Sequence, residues 1–147
     1  MKSVAIGCDP NATNLKEVLK EKMASLGYSF EDYGSDDPIY ANVAIAVAEA
    51  VAAGKHDRGI ILCGTGIGVC LAANKVQGAY AATCSDPYST ERSVLSNNCN
   101  IMTMGSQVVG PEVAKKLMEI WLEAKYVPGS RSEPKMQRIY EYTGERL

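Results

Sequence analysis

The sequence predicts a doubly wound α/β domain built on a five-stranded parallel sheet with helices on both faces, and three observations carry that prediction. Short apolar runs alternate with stretches of helical period five times along the 147 residues. Arg58 to Leu62 reads RGIIL, the near-uniform apolarity of a parallel strand covered on both sides. Gly, Pro, Asn and Asp punctuate the junctions, so short turns join strands to crossover helices of the usual right hand.

Ser3 to Gly7 (SVAIG) is the first strand, and Asp9-Pro10-Asn11 supplies turn chemistry after it. Leu15, Val18, Leu19, Met23 and Leu26 recur at helical spacing, and Gly27 closes that helix. Tyr28 to Tyr33 is a second strand, followed by the polar connection Gly34-Ser35-Asp36-Asp37-Pro38. Tyr40 to Ala53 is an Ala/Val-rich helix stopped by Gly54. The third strand, Arg58 to Leu62, runs into the Gly-rich turn Cys63 to Gly68, which opens another helix. A fourth strand covers Gly78 to Cys84, and Asp86-Pro87 caps and starts a helix that ends near Ser96. Ile101 to Met104 is the fifth strand, and Gly110-Pro111 starts a helix with Val113, Leu117, Ile120, Trp121 and Ala124 on one face. Residues 1–128 make up this domain, with no internal repeat or low-complexity segment. Residues 129–147 form a tail whose helix begins near Pro134 and carries a stripe of Met136, Ile139 and Tyr140. That stripe needs a surface to pack on; a second subunit is the expectation and the chain's own domain the alternative.

Composition excludes several classes. Lys and Arg number 15 against 17 Asp and Glu, interspersed, so the chain has no basic footprint for nucleic acid. No apolar run approaches the ~18 residues of a membrane span. The first strand starts at Ser3 with no secretory signal ahead of it, so a cytoplasmic location is expected. Five cysteines (Cys8, Cys63, Cys70, Cys84 and Cys99) face one histidine, His56. Cys63 and Cys70, the closest pair, are separated by six residues, which gives neither zinc-ligand spacing nor a disulfide framework. Cys70, Cys84 and Cys99 read as small buried hydrophobes, and His56 as an exposed turn histidine at the amino edge of the sheet.

Open α/β sheets bind ligands beyond the carboxyl ends of their strands. The positions to inspect are therefore Cys8-Asp9, Tyr33-Gly34, Cys63 to Gly68, Ser85-Asp86 and Gly105-Ser106. Cys63-Gly64-Thr65-Gly66-Ile67-Gly68 is the most informative, because its glycines let an anion approach backbone N–H groups. It lacks the Gly-Lys-Ser/Thr of a P-loop, and its Gly-x-Gly-x-Gly differs from the dinucleotide fingerprint, although Asp86 lies about twenty residues on, where a ribose-binding acid would. A turn that merely packs helix on strand is the structural alternative. Amides around Cys63 favour a thiolate, which suits a base that takes a proton from a carbon α to a carbonyl while the N–H groups stabilise the enediolate. Thr65 could shuttle a hydroxyl proton, and Asp9 could orient a sugar hydroxyl or simply close an Asx turn.

Leu62 to Gly68 (LCGTGIG) through Ala72-Ala73-Asn74-Lys75, together with Ile6-Gly7-Cys8-Asp9, Ser85-Asp86-Pro87-Tyr88-Ser89 and Met104 to Gly110 (MGSQVVG), strongly resembles the family of type B ribose-5-phosphate isomerases and galactose-6-phosphate isomerase subunits. The resemblance covers nearly the whole chain, and CGTGIG followed by AANK is its most specific part. It implies a Rossmann-like fold and an aldose–ketose sugar-phosphate isomerase that needs no metal or other cofactor. It also implies a cis-enediolate intermediate and sites shared between the subunits of a homodimer or homotetramer. Carried over by position, Cys63 matches the base acting between C1 and C2. Asp9, Asn97 and Asn100 match substrate contacts, and the amides from Gly64 through Gly66 and Ile67 to Gly68 match an anion hole. Some relatives place a glutamate base where this chain has Val69, which leaves Cys63 as the base.

The departures are as informative. Pro10 and Ser96 stand where the family commonly has histidines, the second of which helps open the sugar ring. Gln107 occupies the position of a phosphate-binding arginine. In the tail, Arg131 matches a phosphate-binding cation, and Lys135 or Arg138 takes the place of a second. Lysine binds phosphate as a point charge without the bidentate fork. Loss of both imidazoles suggests a substrate that needs little ring opening, such as a tetrose phosphate. Two other readings compete: one subunit of a heteromeric isomerase, and a sugar-phosphate-binding protein without catalysis. The intact Cys63 turn speaks against the second of these.

Overall fold

Strands send alternate side chains to opposite faces, and here both faces are loaded with apolar residues, so the sheet must be covered twice. In the computed structural model, which describes residues 3–145, this is what forms. The outermost residues of the two predicted segments, 1–2 and 146–147, lie outside the described residues. The strands are β1 (Val4–Cys8), β2 (Phe30–Asp32), β3 (Arg58–Cys63), β4 (Ala81–Thr83) and β5 (Ile101–Gly105). All pair in parallel, in the order β2-β1-β3-β5-β4. The helices are α1 (Thr13–Ser25), α2 (Tyr40–Ala52), α3 (Ile67–Ala73), α4 (Pro87–Leu95), α5 (Pro111–Glu123) and α6 (Glu133–Thr143).

Val4 and Ile6, Ile60 and Leu62, and Met102 and Met104 face α1, α4 and α5, in a core that includes Leu19, Leu117 and Trp121. Ala5, Ile61, Cys63 and Ile101 face α2 and α3, against Val43, Val47 and Val69. Right-handed crossovers place the helices in these two layers: moving one way along the sheet (β1 to β2, β4 to β5) puts the helix on one face, and moving the other way puts it on the opposite face.

The edge strands are shorter than the apolar runs suggest. Ahead of β4, Asn100 accepts from the Tyr80 N–H at 2.8 Å and donates to the Gly78 carbonyl at 2.9 Å, so its amide holds residues that would otherwise extend the ladder. The buried face of α5 is Ala114, Leu117, Met118, Trp121 and Leu122, whereas Val113 is exposed. Apolar residues occupy much of this helix's circumference, and only packing against α1 and α4 selects the buried arc.

His56 corrects the expectation of an exposed side chain: it lies at the amino edge but is only 4% exposed. Its Nδ1 pairs with Ser3 Oγ at 2.5 Å, and its Nε2 with the Tyr33 hydroxyl at 2.8 Å and Glu31 Oε2 at 3.1 Å. Partners on two separate segments, Ser3 ahead of β1 and Glu31 and Tyr33 at β2, draw the ring inward. Lys16 is also buried and pairs with Asp32 at 2.9 Å, while Lys20 reaches the other oxygen of Asp32 at 2.9 Å. Burial works to raise the Asp32 pKa, but the hydrogen bonds from Lys16, Lys20 and the Gly34 N–H outweigh it and hold the value at about 2.

The tail helix α6 buries Met136 and Tyr140 against the chain's own domain. Tyr140 meets Tyr80 edge-on with ring centroids 5.2 Å apart, Asn98 Nδ2 donates to the Tyr140 hydroxyl, and Asn97 Nδ2 contacts Met136 Sδ at 3.5 Å. Ile139, the third member of the predicted stripe, stays exposed.

Candidate active site

β1 and β3 are neighbours, and the chain leaves them in opposite directions along the sheet, so the crevice beyond their carboxyl ends is a topological switch point. Asp9 follows β1 and Cys63 ends β3, one on each side of it. The turn after β3 is held from below. Thr103 Oγ1 donates to the Gly66 carbonyl at 2.8 Å and Thr83 Oγ1 to the same oxygen at 3.1 Å. Gly66 sits at φ +81°, and a Cβ there would lie 2.8 Å from the Met104 carbonyl carbon. Gly105 answers from the other side, because a Cβ on it would stand 2.5 Å from the Thr65 carbonyl carbon. Turn and strand end therefore pack backbone on backbone, as only glycine permits.

This turn directs its donors unequally. The Gly66 N–H donates to Cys63 Sγ at 3.1 Å, and the Ile67 N–H to Thr65 Oγ1 at 3.2 Å. The N–H groups of Gly64 and Thr65 have no acceptor among the described residues. Two of the expected anion-hole amides thus serve the side chains of the turn itself, and those of Gly64 and Thr65 are free to meet an oxyanion. A cavity of about 420 Å³ lies over them, lined by Asp9, Asn11, Tyr40, Cys63, Gly64, Thr65, Ile67, Gly68 and Leu71. Gln107 borders it on one flank, its carboxamide lying over Gly64.

Asp9 is buried, and both of its carboxylate oxygens take hydrogen bonds from Asn11, at 3.0 Å each. The Asx role is present, and the side chain lines the cavity as well. Among the other cysteines, burial pushes the Cys8 thiol up to about 11 and that of Cys99 to about 12, and it raises Cys84 as well. Cys84 is fully buried, whereas Cys70 and Cys99 are only half-buried. Val69 lies in the core below the turn. Asp86 caps α4 through the Ser89 N–H at 2.7 Å. Asn74 of the AANK segment clasps β4 by pairing with both the N–H and the carbonyl of Ala81. Among the described residues no group of His, Cys, Asp and Glu is arranged to hold a metal ion, and no helix is long and apolar enough to cross a membrane.

The remaining expected site residues gather elsewhere. Asn100 precedes β5 and Asn97 follows α4, both at the amino edge of the sheet. Arg131, Lys135 and Arg138 lie on or just ahead of α6, which packs against Asn97 and Asn98. Five-residue β5 separates the two edges by about 16 Å. One chain therefore holds two groups: Asp9, Cys63, Thr65 and the turn amides at the carboxyl edge, and Asn97, Asn100 and the tail cations at the amino edge. Sequence reasoning missed Tyr40 and Leu71 in the cavity wall, since each reads simply as a helix residue.

A family model described as Ribose/Galactose Isomerase matches residues 4–139. The chain belongs to this family. It is 44% identical over 146 residues to a D-erythrulose-4-phosphate isomerase of Pectobacterium atrosepticum, covering 97% of this chain and 95% of the relative. It is also 44% identical over 147 residues to D-erythrulose-4-phosphate isomerase 2 of Mycolicibacterium smegmatis, covering 96% and 97%. The solved structure of Clostridium thermocellum ribose-5-phosphate isomerase B superposes with a TM-score of 0.91 at 36% identity, covering 97% of each chain. As a member of the ribose/galactose isomerase family the protein is an aldose–ketose sugar-phosphate isomerase, and the resemblance carried by CGTGIG and AANK is confirmed.

Proposed function

We propose that this isomerase interconverts a four-carbon aldose phosphate and its ketose phosphate in the cytoplasm, with Cys63 as base and with each site completed by a second copy of the chain. One observation carries the choice of substrate. His56 is the chain's only histidine, and it is buried at the amino edge with both ring nitrogens engaged. The carboxyl-edge cavity has no imidazole to open a sugar ring. Pentose and hexose phosphates close readily through a free hydroxyl, whereas an aldotetrose whose terminal hydroxyl carries phosphate has no hydroxyl left to close a furanose. The names of the two relatives at 44% identity support the same sugar length.

Starting from the aldose, Cys63 takes the proton from C2. The C–H electron pair forms the C1=C2 bond, and O1 becomes the oxyanion that the Gly64 and Thr65 N–H groups receive. Thr65 passes the O2 proton towards O1, and Cys63 returns its proton to C1, leaving the carbonyl at C2. The phosphate, at the far end of the sugar, needs cations, and the cavity lining contains no Lys or Arg. Arg131, Lys135 and Arg138 of a second copy fill that role, which is why one chain separates the two groups.

The test is a panel of tetrose, pentose and hexose phosphates, with solvent deuterium uptake at C2 measured for wild type and Cys63→Ala. The tetrose phosphate is expected to have the highest kcat/KM, with uptake lost in the variant. A higher kcat/KM on a cyclic pentose or hexose phosphate sinks the four-carbon reading, and undiminished uptake in Cys63→Ala removes Cys63 as the base.

A further inference from the structure

We infer that Tyr40 is a substrate-binding residue, its hydroxyl holding a sugar oxygen over the Gly-rich turn; the inference rests on the sugar-phosphate reading of this cavity. Tyr40 is the first residue of α2, and that helix is fixed on the sheet through Val43, Ala44 and Val47, so the start of the side chain has little freedom. Its ring lies across the turn on Gly68. A Cβ on Gly68 would stand 2.7 Å from the Tyr40 hydroxyl oxygen and nearer still to the ring carbons. The third glycine of the CGTGIG segment is thus the seat of a tyrosine ring, a role distinct from presenting N–H groups.

The seat places the ring at a functional position while leaving it open. Tyr40 is 42% exposed and lines the same cavity as Asp9, Cys63 and Thr65. Its hydroxyl has no hydrogen-bond partner among the described residues. The neighbouring polar side chains are already engaged: the Asp9 carboxylate with Asn11, and Thr65 Oγ1 with the Ile67 N–H. A phenol can both donate and accept, which matches a sugar hydroxyl, and it brings no charge near the enediolate. A ring held only for packing has no need of a glycine that brings its polar end over the Gly-rich turn.

Tyr40→Phe tests this, because it keeps the ring on Gly68 and removes only the hydroxyl. The KM for the preferred sugar phosphate is expected to rise about 5–10-fold, the size of one lost hydrogen bond, with kcat within about twofold and Tm unchanged. Tyr40→Leu, which removes hydroxyl and ring together, should raise KM at least as much. Gly68→Ala should raise it as well, by lifting the ring from its seat. Wild-type KM and kcat in Tyr40→Phe overturn the inference while leaving the isomerase reading intact. A wild-type chain inactive on every sugar phosphate tried overturns the reading and the inference together.

Discussion

The backbone N–H of Gly66 points at the sulfur of Cys63, three positions earlier in the chain and 3.1 Å away. The same glycine turns its carbonyl the other way, onto Thr103 and Thr83. One peptide segment therefore orients the proposed base and anchors the turn to the sheet, and both tasks depend on a left-handed backbone at Gly66.

Removal of the sulfur should separate chemistry from folding. Cys63→Ala is expected to lower kcat by roughly 10³-fold, within the range for loss of a general base, with little change in Tm. Stopped-time assays of the tetrose phosphate alongside thermal melts check this; a kcat within tenfold of wild type contradicts the assignment.

Gly66→Ala places a Cβ in left-handed backbone and 2.8 Å from the Met104 carbonyl carbon. Together these should cost about 3 kcal/mol, or a fall in Tm of about 10 °C. Turnover should fall as well, since the N–H donor to Cys63 moves. Thr103→Val, which leaves the Gly66 carbonyl with Thr83 alone, should show a milder form of both effects.

His56→Phe should do the opposite of Cys63→Ala. It strips partners from the Tyr33 hydroxyl and Ser3 Oγ in a buried place, at a cost of about 2–3 kcal/mol. Because His56 lies at the edge opposite Cys63, kcat/KM per folded molecule should stay within about twofold. Urea unfolding combined with active-fraction kinetics measures the two separately.

Asp32 makes stability depend on acid. Its folded pKa of about 2 lies below the usual carboxylate value, so the stability it contributes is fully present above the unfolded pKa. That contribution is lost as pH falls from about 4 towards 2, and it amounts to roughly 2 kcal/mol. Asp32→Asn should therefore be less stable than wild type at neutral pH, also because Lys16 is left buried without its counter-charge. The gap should narrow progressively below about pH 4. Urea midpoints at several pH values test this, and a gap independent of pH contradicts it.

Mixing two inactive variants tests the shared site. A chain with Cys63→Ala keeps its tail cations, and a chain with Arg131→Ala and Arg138→Ala keeps Cys63. If each site draws on two copies, refolding the two together restores one intact site per mixed dimer, and activity returns. No gain over the separate variants counts against sites shared in this way.

The alternation of strand and helix, the buried third strand and the Gly-rich turn were legible because they depend on local pattern: period two, period 3.6 and backbone freedom at glycine. The placement of Cys63, Thr65 and Asp9 around one cavity at the carboxyl edge was legible for a related reason, since in an open parallel sheet any residue just after a strand lies at that edge. The sequence by itself thus determined the fold class, the order of elements and the position of the Gly-rich turn at the carboxyl edge. Only the tertiary structure decided which arc of α5 is buried, that His56 turns inward to Ser3 and Tyr33, and that Tyr40 lies on Gly68. It also separated the tail cations from Cys63. Each of these depends on residues from distant parts of the chain meeting in space. Local periodicity places a side chain on its own helix or strand and carries no information about what will pack against it.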